Sequence, residues 1–130
     1  IIAQRLVRKV CKNCGKLEQI TEQERKEFEE AFSELKKYYP EKSQAIPDQI
    51  YHAVGCEKCS HTGYSGRAVI SEILTVDDEI RELILARSSS GKIFELARKK
   101  GFMTMKEDGF KKIASGETTI EEVQSEVKIS

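Results

Sequence analysis

The sequence predicts an α+β fold that is mainly helical: a small module built on four cysteines with a projecting helical arm, followed by a compact bundle of short helices. Three observations support this prediction. Two Cys-x-x-Cys pairs are separated by a long insertion in a chain of 130 residues. Apolar residues recur at helical spacing after capping signals, both between the cysteine pairs and after residue 75. Residues 1–10 and 67–74 instead have the character of strands, although the alternation in 67–74 is loose.

The first predicted helix runs from Thr21 to Tyr39 and forms the arm. Thr21 and Glu24 have the spacing of a capping box, and Pro40 ends the helix because proline cannot continue it. The apolar residues of this helix follow at helical spacing: Phe28, Ala31, Phe32, Leu35, Tyr38 and Tyr39. Its remaining positions are largely charged, which predicts a solvated helix held only at its root. Residues 41–51 have little periodicity and are predicted to return as an extended loop.

Four short helices are predicted after residue 75. Each follows a capping or breaking signal: Thr75 with Asp78, Ser88 to Gly91, Thr104 with Glu107, and Thr119 with Glu122. Gly101 and Gly116 end the second and third of these helices. Helices this short are marginal alone, so they must pack on one another.

The four cysteines form two knuckles, Cys11-x-x-Cys14 and Cys56-x-x-Cys59. This spacing lets two thiolates of each pair bind one tetrahedral Zn²⁺ at about 2.3 Å. A closed sphere of four sulfurs leaves no position for water, so the zinc is predicted to be structural. Two disulfides or four free thiols are the alternatives. The sequence has no pattern of an export leader, which favours a reducing compartment and therefore the metal.

The gap between the knuckles is much longer than the roughly 15 to 20 residues of an ordinary zinc ribbon. Closure is still possible, because a helix from Thr21 to Tyr39 extends about 28 Å and the residues after it can span the return. Lys12, Lys16 and Lys58 are placed to offset the negative charge of a four-thiolate site. His61 is a possible substitute ligand, although a histidine in this position is more often a surface residue.

Composition and missing motifs exclude several functions. The formal net charge is zero, which argues against a dedicated nucleic-acid binder, and no apolar run is long enough to span a membrane. The sequence has neither a phosphate loop nor a GxGxxG motif, and its histidines, His52 and His61, belong to no catalytic set. The sequence leaves two interpretations of Arg67: a residue that binds phosphate or lies in an interface, and an ordinary surface residue.

One family shares this order of motifs. The pattern consists of Ala3-Gln4-Arg5-Leu6-Val7-Arg8, the two cysteine pairs, Thr62-Gly63-Tyr64-Ser65-Gly66-Arg67, Glu72-Ile73-Leu74, Gly101 to Met105, Asp108-Gly109 and Gly116 to Val123. It resembles the C-terminal part of the type II secretion and type IV pilus assembly ATPases. The likeness is poorest in the arm, from about 17 to 50. The chain opens on Ile1-Ile2-Ala3 without a methionine, and we expect it to be a fragment of a longer protein.

The resemblance implies a hexameric, RecA-like motor in the cytoplasm, peripheral at the inner membrane, that drives pilus or pseudopilus assembly through a platform protein. It implies that residues 1–10 are the last strand of the RecA-like domain, 11–74 the tetracysteine zinc module with its arm, and 75–130 the C-terminal helical domain. ATP and Mg²⁺ would bind upstream, so this fragment would not be catalytic although its parent would hydrolyse ATP. Retraction ATPases of the pilus generally lack the tetracysteine module, which favours an assembly or secretion motor.

These features lead to a mechanical hypothesis. Zinc fixes the base of the arm. The arm, or the basic residues at its base, acts as a lever on a neighbouring subunit or on the platform protein. Two other classes are alternatives: a zinc-ribbon-like module that binds nucleic acid or protein, and a redox dithiol protein. The second alternative is disfavoured because its Cys-x-x-Cys would begin a helix within a βαβ pattern.

Overall fold

The computed structural model describes residues 1–38 and 45–127, and it has the predicted α+β, mainly helical class. The elements within these ranges, in chain order, are β1 (Ile2–Val10), β2 (Lys16–Gln19), α1 (Glu22–Tyr38), β3 (Gln49–His52), β4 (Tyr64–Ile73), α2 (Asp78–Leu85), α3 (Ser90–Lys99), α4 (Met105–Ala114) and α5 (Ile120–Val127). A single 3₁₀ turn, Glu57–Cys59, precedes β4. None of these helices is long and apolar enough to cross a bilayer.

Both predicted strands are present, and they pair with each other. β1 and β4 form an antiparallel two-stranded ribbon that begins with Ile2 opposite Ile73 and is interrupted by an irregularity before Val10. On one face of the ribbon, Val7 and Ile70 are fully buried against the helices. The opposite face is exposed, because successive side chains of a strand point to opposite sides and no described element covers it.

A second, smaller sheet was not predicted. β2 and β3 pair antiparallel on either side of α1, from Lys16 opposite His52 to Gln19 opposite Gln49. The expected extended loop over 41–51 is therefore wrong for its last residues, while 41–44 lie outside the described ranges. Four-residue strands are too short to show periodicity, and this pairing joins segments far apart in the sequence. The sheet therefore brings together the two ends of the segment that contains α1.

The start of α1 confirms its predicted capping box. The Thr21 hydroxyl accepts from the backbone N–H of Glu24 at 3.1 Å, and the Glu24 carboxylate accepts from the N–H of Thr21 at 3.0 Å. The predicted end of the helix, at Tyr39 and Pro40, falls outside the described residues.

The projecting arm, by contrast, is wrong. The apolar stripe of α1 is buried, and Phe28 packs edge-to-face on Phe110 of α4 with ring centroids 5.0 Å apart. Leu35, two turns further along, is also fully buried. Most charged residues of α1 are exposed on its outer face, and the apolar stripe opposite them is stabilised by removal from water against α4.

The caps of the later helices are confirmed in part. The capping box of Thr104 and Glu107 begins α4. The predicted pair of Thr75 and Asp78 is wrong, because the Asp77 carboxylate accepts from the N–H of Ile80 at 2.9 Å and so caps α2. Asp77 lies one residue before α2 with its backbone extended, as a capping residue requires.

Only one of the two hydrogen bonds of the capping box predicted for α5 is formed. The Thr119 hydroxyl accepts from the N–H of Glu122 at 3.3 Å. The Glu122 carboxylate instead binds Arg8 of β1, accepting from its backbone N–H at 2.7 Å and from its guanidinium at 2.9 Å. A carboxylate that meets a charged donor gains more than it would from a neutral N–H, which explains why Glu122 leaves the capping position.

The turn between α4 and α5 holds the end of β1. Glu117 O accepts from the N–H of Val10 at 3.0 Å, and the Thr118 hydroxyl donates to Arg8 O at 2.7 Å. The Arg8 guanidinium also stacks on the Tyr64 ring, 4.2 Å from its centroid. The two hydrogen bonds give partners to backbone groups on the outer edge of β1, just before Cys11.

A buried ion pair joins α3 to α4. Arg98 is fully buried, and two of its guanidinium nitrogens each donate to the Glu107 carboxylate at 2.6 Å. One of these two nitrogens, Nη1, also donates to Phe102 O at 2.9 Å. Because a buried charge is costly unless it is paired, this contact fixes where α3 meets α4.

Two leucines test whether α1 is docked. We expect L35A to destabilise the protein by about 2–5 kcal/mol, because it leaves a cavity in the core. L85A changes a leucine that is 76% exposed and should alter the stability by no more than about 0.5 kcal/mol. The measurement is urea unfolding followed by circular dichroism. Equal, small effects of the two substitutions would mean that α1 projects after all.

Replacing each of two helical glycines by alanine should change the stability of the protein in opposite directions. A Cβ on Gly109 of α4 would lie 2.5 Å from a Val123 methyl of α5, whereas the nearest atom to a Cβ on Gly91 is 3.9 Å away. We expect G109A to destabilise the protein by about 1–3 kcal/mol through overpacking. G91A should stabilise it by up to about 1 kcal/mol through helix propensity. Thermal unfolding of both variants measures the difference, and a stabilising G109A would contradict the close α4–α5 contact.

Candidate metal centre

The first knuckle is the turn that follows β1. The N–H of Cys11 donates to Gly63 O at 2.9 Å, and the N–H of Gly15 donates back to Cys11 O at 2.7 Å. A Cβ on Gly15 would lie 2.6 Å from Cys11 O, so only glycine fits this tight return. The turn points both sulfurs, those of Cys11 and Cys14, towards the second knuckle.

The second knuckle is built on the 3₁₀ turn before β4. Cys56 O accepts from the N–H of His61 at 2.7 Å, and Ser60 and His61 both have positive φ, 56° and 63°. The Thr62 hydroxyl donates to Cys59 O at 2.7 Å. The chain therefore reverses directly behind the cysteines and enters β4 beside the first knuckle.

The four predicted cysteine sulfurs come together in space. Cys11 and Cys56 are 3.8 Å apart, Cys14 and Cys59 are 3.8 Å apart, and Cys56 and Cys59 are 3.7 Å apart. All four sulfurs lie within 4.8 Å of one another. Four sulfurs bound tetrahedrally at the zinc–sulfur distance would be about 3.8 Å apart. All four cysteines are free thiols, since a disulfide would require sulfurs at about 2.05 Å. The group can hold a metal ion.

Nitrogen donors surround the sulfurs unequally. Burial raises the pKa of the Cys14 thiol to about 11. The Asn13 side-chain amide, which donates to Cys56 Sγ at 3.3 Å, lowers the pKa of that thiol. Burial alone would raise the pKa of Cys59, but hydrogen bonds from the N–H groups of Cys56 and Gly63 outweigh it, and the pKa falls to about 6. A cation held between the sulfurs would favour the thiolate form of all four.

The other residues singled out in the sequence lie around this centre without joining it. His61 is exposed and does not belong to the metal-competent group found among the described residues. Lys12, Lys16 and Lys58 are exposed. Lys16 also faces Glu18 at 3.8 Å. Arg67 is exposed on the ribbon opposite Arg8 and lines a cavity with it, and its role stays a prediction.

His52 is a structural residue that the sequence did not indicate. Its Nε2 lies 2.7 Å from the Glu24 carboxylate of α1, and its Nδ1 lies 3.0 Å from the Glu18 carboxylate of β2 without hydrogen-bond geometry. Burial alone would lower the pKa of His52, but the two glutamates outweigh it and hold that pKa above its ordinary value. Since the partners of His52 lie in β2 and at the start of α1, at least 28 residues earlier in the sequence, no local pattern could have identified them.

Comparisons with known proteins identify the family. The model of the type II/IV secretion system protein family matches residues 1–125. The chain is 42% identical over 123 residues, 95% of its length, to the type IV pilus assembly ATPase PilB of Thermus thermophilus. It is 36% identical over its full 130 residues to the type II secretion system ATPase E of Vibrio cholerae, and 37% identical over 123 residues to the type II secretion system protein HxcR of Pseudomonas aeruginosa.

The chain is much shorter than these relatives. It spans 13% of the Thermus protein, 23% of the Vibrio protein and 20% of the Pseudomonas protein. The family match, over residues 1–125, nevertheless includes both cysteine knuckles. The chain belongs to the type II/IV secretion system protein family.

Proposed function

We propose that Cys11, Cys14, Cys56 and Cys59 bind one structural Zn²⁺. The separation of the sulfurs carries this proposal, because distances of 3.7–3.8 Å match the edges of a tetrahedral four-sulfur site. Thiolate is the ligand that zinc prefers in closed structural sites, and four protein sulfurs leave no place for a reacting water. The metal would therefore hold the two knuckles together without taking part in chemistry.

We further propose that the chain is the C-terminal region of a hexameric secretion or pilus-assembly ATPase. In that protein it would couple ATP hydrolysis, carried out upstream with Mg²⁺, to an inner-membrane platform that assembles pili or pseudopili. The protein would lie in the cytoplasm, peripheral to the inner membrane. The family membership supports this proposal, since both pilus assembly and type II secretion ATPases are among the relatives.

The ribbon supports the proposed junction with an ATPase domain. Four apolar residues on its outer face are between 42% and 64% exposed: Ile2, Leu6, Val69 and Ile73. In the described part of the chain β1 has only β4 as a strand neighbour. An apolar face and an unpaired strand edge are what a strand presents when it belongs to a larger sheet. We therefore keep residues 1–10 as the proposed last strand of the RecA-like domain, 11–74 as the zinc module and 75–130 as the helical domain.

The docked position of α1 changes the proposed mechanism. A lever would require the helix to extend freely from the zinc site, yet its apolar stripe packs on α4. We propose instead that motion of the ATPase domain enters through β1 and passes to the helices through the shared core. Zinc would keep β1 and β4 aligned during that motion, because the two knuckles adjoin the ends of these strands.

Metal analysis tests the zinc site. We expect one zinc per chain in the purified protein and none in the double variant C56S/C59S, which removes half of the ligands. H61N is the matched control: it keeps all four cysteines and places asparagine, which tolerates positive φ, at a residue with φ of 63°. It should retain the metal. A wild-type protein that is metal-free after purification without chelators would contradict the proposal.

Secretion or piliation tests the role in the motor. We expect C56S/C59S in the full-length parent to reduce export or piliation by at least about tenfold, because mutation of groups that only hydrogen-bond to metal ligands already costs about 10- to 100-fold. Protein abundance and hexamer formation are measured in the same cells, and H61N serves as the control. Normal export by an abundant, zinc-free protein would show that the metal does not take part in coupling.

A further inference from the structure

Among the described residues, three of the four sulfurs accept from N–H donors, and these donors come from different parts of the chain. Cys59 accepts from the backbone N–H groups of Cys56 and Gly63, both at 3.2 Å, and Cys14 accepts from the backbone N–H of Gly55 at 3.3 Å. Cys56 accepts from the backbone N–H of Cys59 and also from a side chain, the Asn13 amide, at 3.3 Å. Backbone donors are fixed by the turns themselves, whereas the side-chain donor to Cys56 depends on which residue occupies position 13.

The hydrogen bond of Asn13 also crosses between the knuckles. Asn13 is the residue before Cys14 in the first knuckle, and its acceptor belongs to the second. Lys58 holds the corresponding place in the second knuckle and is exposed, with no hydrogen bond to a sulfur among the described residues. Each knuckle therefore receives a bond to sulfur from the other side: the backbone N–H of Gly55 donates to Cys14, and the Asn13 side chain donates to Cys56.

We propose that Asn13 is a positioning residue of the metal site, which orients the Cys56 thiolate and disperses its charge. This inference rests on the proposed zinc site. A hydrogen bond to a charged acceptor is stronger than one between neutral groups, so the bond strengthens when the metal holds Cys56 as thiolate. Groups that hydrogen-bond to metal ligands typically affect metal affinity by about 10- to 100-fold. Because Asn13 is exposed, we expect the lower end of that range.

The chemistry of position 13 makes distinct predictions for each replacement. N13A removes the donor. N13D keeps the size but replaces the amide by a carboxylate, which cannot donate and which repels the thiolate. We therefore expect the zinc affinity to fall about tenfold in N13A and further in N13D. E57Q, which changes an exposed residue of the second knuckle without a contact to sulfur, is the control and should bind zinc as the wild type does.

The experiment combines zinc competition with cobalt spectroscopy. Zinc affinity is measured against a chromophoric chelator for the wild type, N13A, N13D and E57Q. The same proteins are then loaded with Co²⁺, whose thiolate charge-transfer band reports on the sulfurs. Losing an N–H donor raises the energy of the sulfur lone pairs, so the band should move to longer wavelength in N13A. Urea unfolding with and without metal shows whether the metal-free fold is unchanged.

The outcomes separate this inference from the proposed zinc site. If the wild type itself binds neither Zn²⁺ nor Co²⁺ tightly, the zinc site is wrong and this inference falls with it. If the wild type binds both metals and N13A has the same affinity and the same charge-transfer band, Asn13 does not position Cys56. An equal loss of stability by N13A with and without metal would also overturn the proposal, since it would show a purely structural role.

Discussion

The antiparallel pairing of β1 with β4 sets the positions of both cysteine knuckles and of the helices that pack on the ribbon. It runs almost the whole length of both strands and brings the chain before Cys11 alongside the chain after Cys59. The hydrogen bond from the Cys11 N–H to Gly63 O continues that pairing into the knuckles. The cysteine pairs therefore meet because the strands beside them are paired. A bound metal would reinforce a junction that the backbone already forms.

The helices complete this junction from the other end of the sequence. The turn between α4 and α5 hydrogen-bonds the edge of β1, and Glu122 neutralises Arg8 beside it. Tyr64, at the start of β4, is held by the stacked guanidinium of Arg8 and by the Thr119 hydroxyl at 2.8 Å. The last helix is thus tied to both strands close to the knuckles, so the cysteine module and the C-terminal helices share one set of contacts.

The position of α1 has consequences for any mechanical role. Phe28 and Phe32 lie against Phe110, so the insertion between the knuckles contributes to the same core as the ribbon and α4. In the proposed motor, a displacement of β1 would reach α4 through packed side chains. Cores of this kind resist gradual deformation because they are close-packed. The metal and the core would then act together in keeping the region in one arrangement.

Features that depend on residues a few positions apart could be read from the sequence. The capping boxes at Thr21 and Thr104 and the paired cysteine spacings could be predicted, because each depends on residues within about one turn of chain. The two strands could be predicted from their residue types, although the pairing between them could not. The way in which these parts meet depends on contacts between distant segments, which the structure shows. The docking of α1, the β2–β3 pairing and the bond from Asn13 to Cys56 join residues far apart in sequence, where no local pattern records the partner. Glu122 illustrates the difference between local and distant contacts. Its spacing from Thr119 predicted a capping box, but its carboxylate binds the distant Arg8 instead.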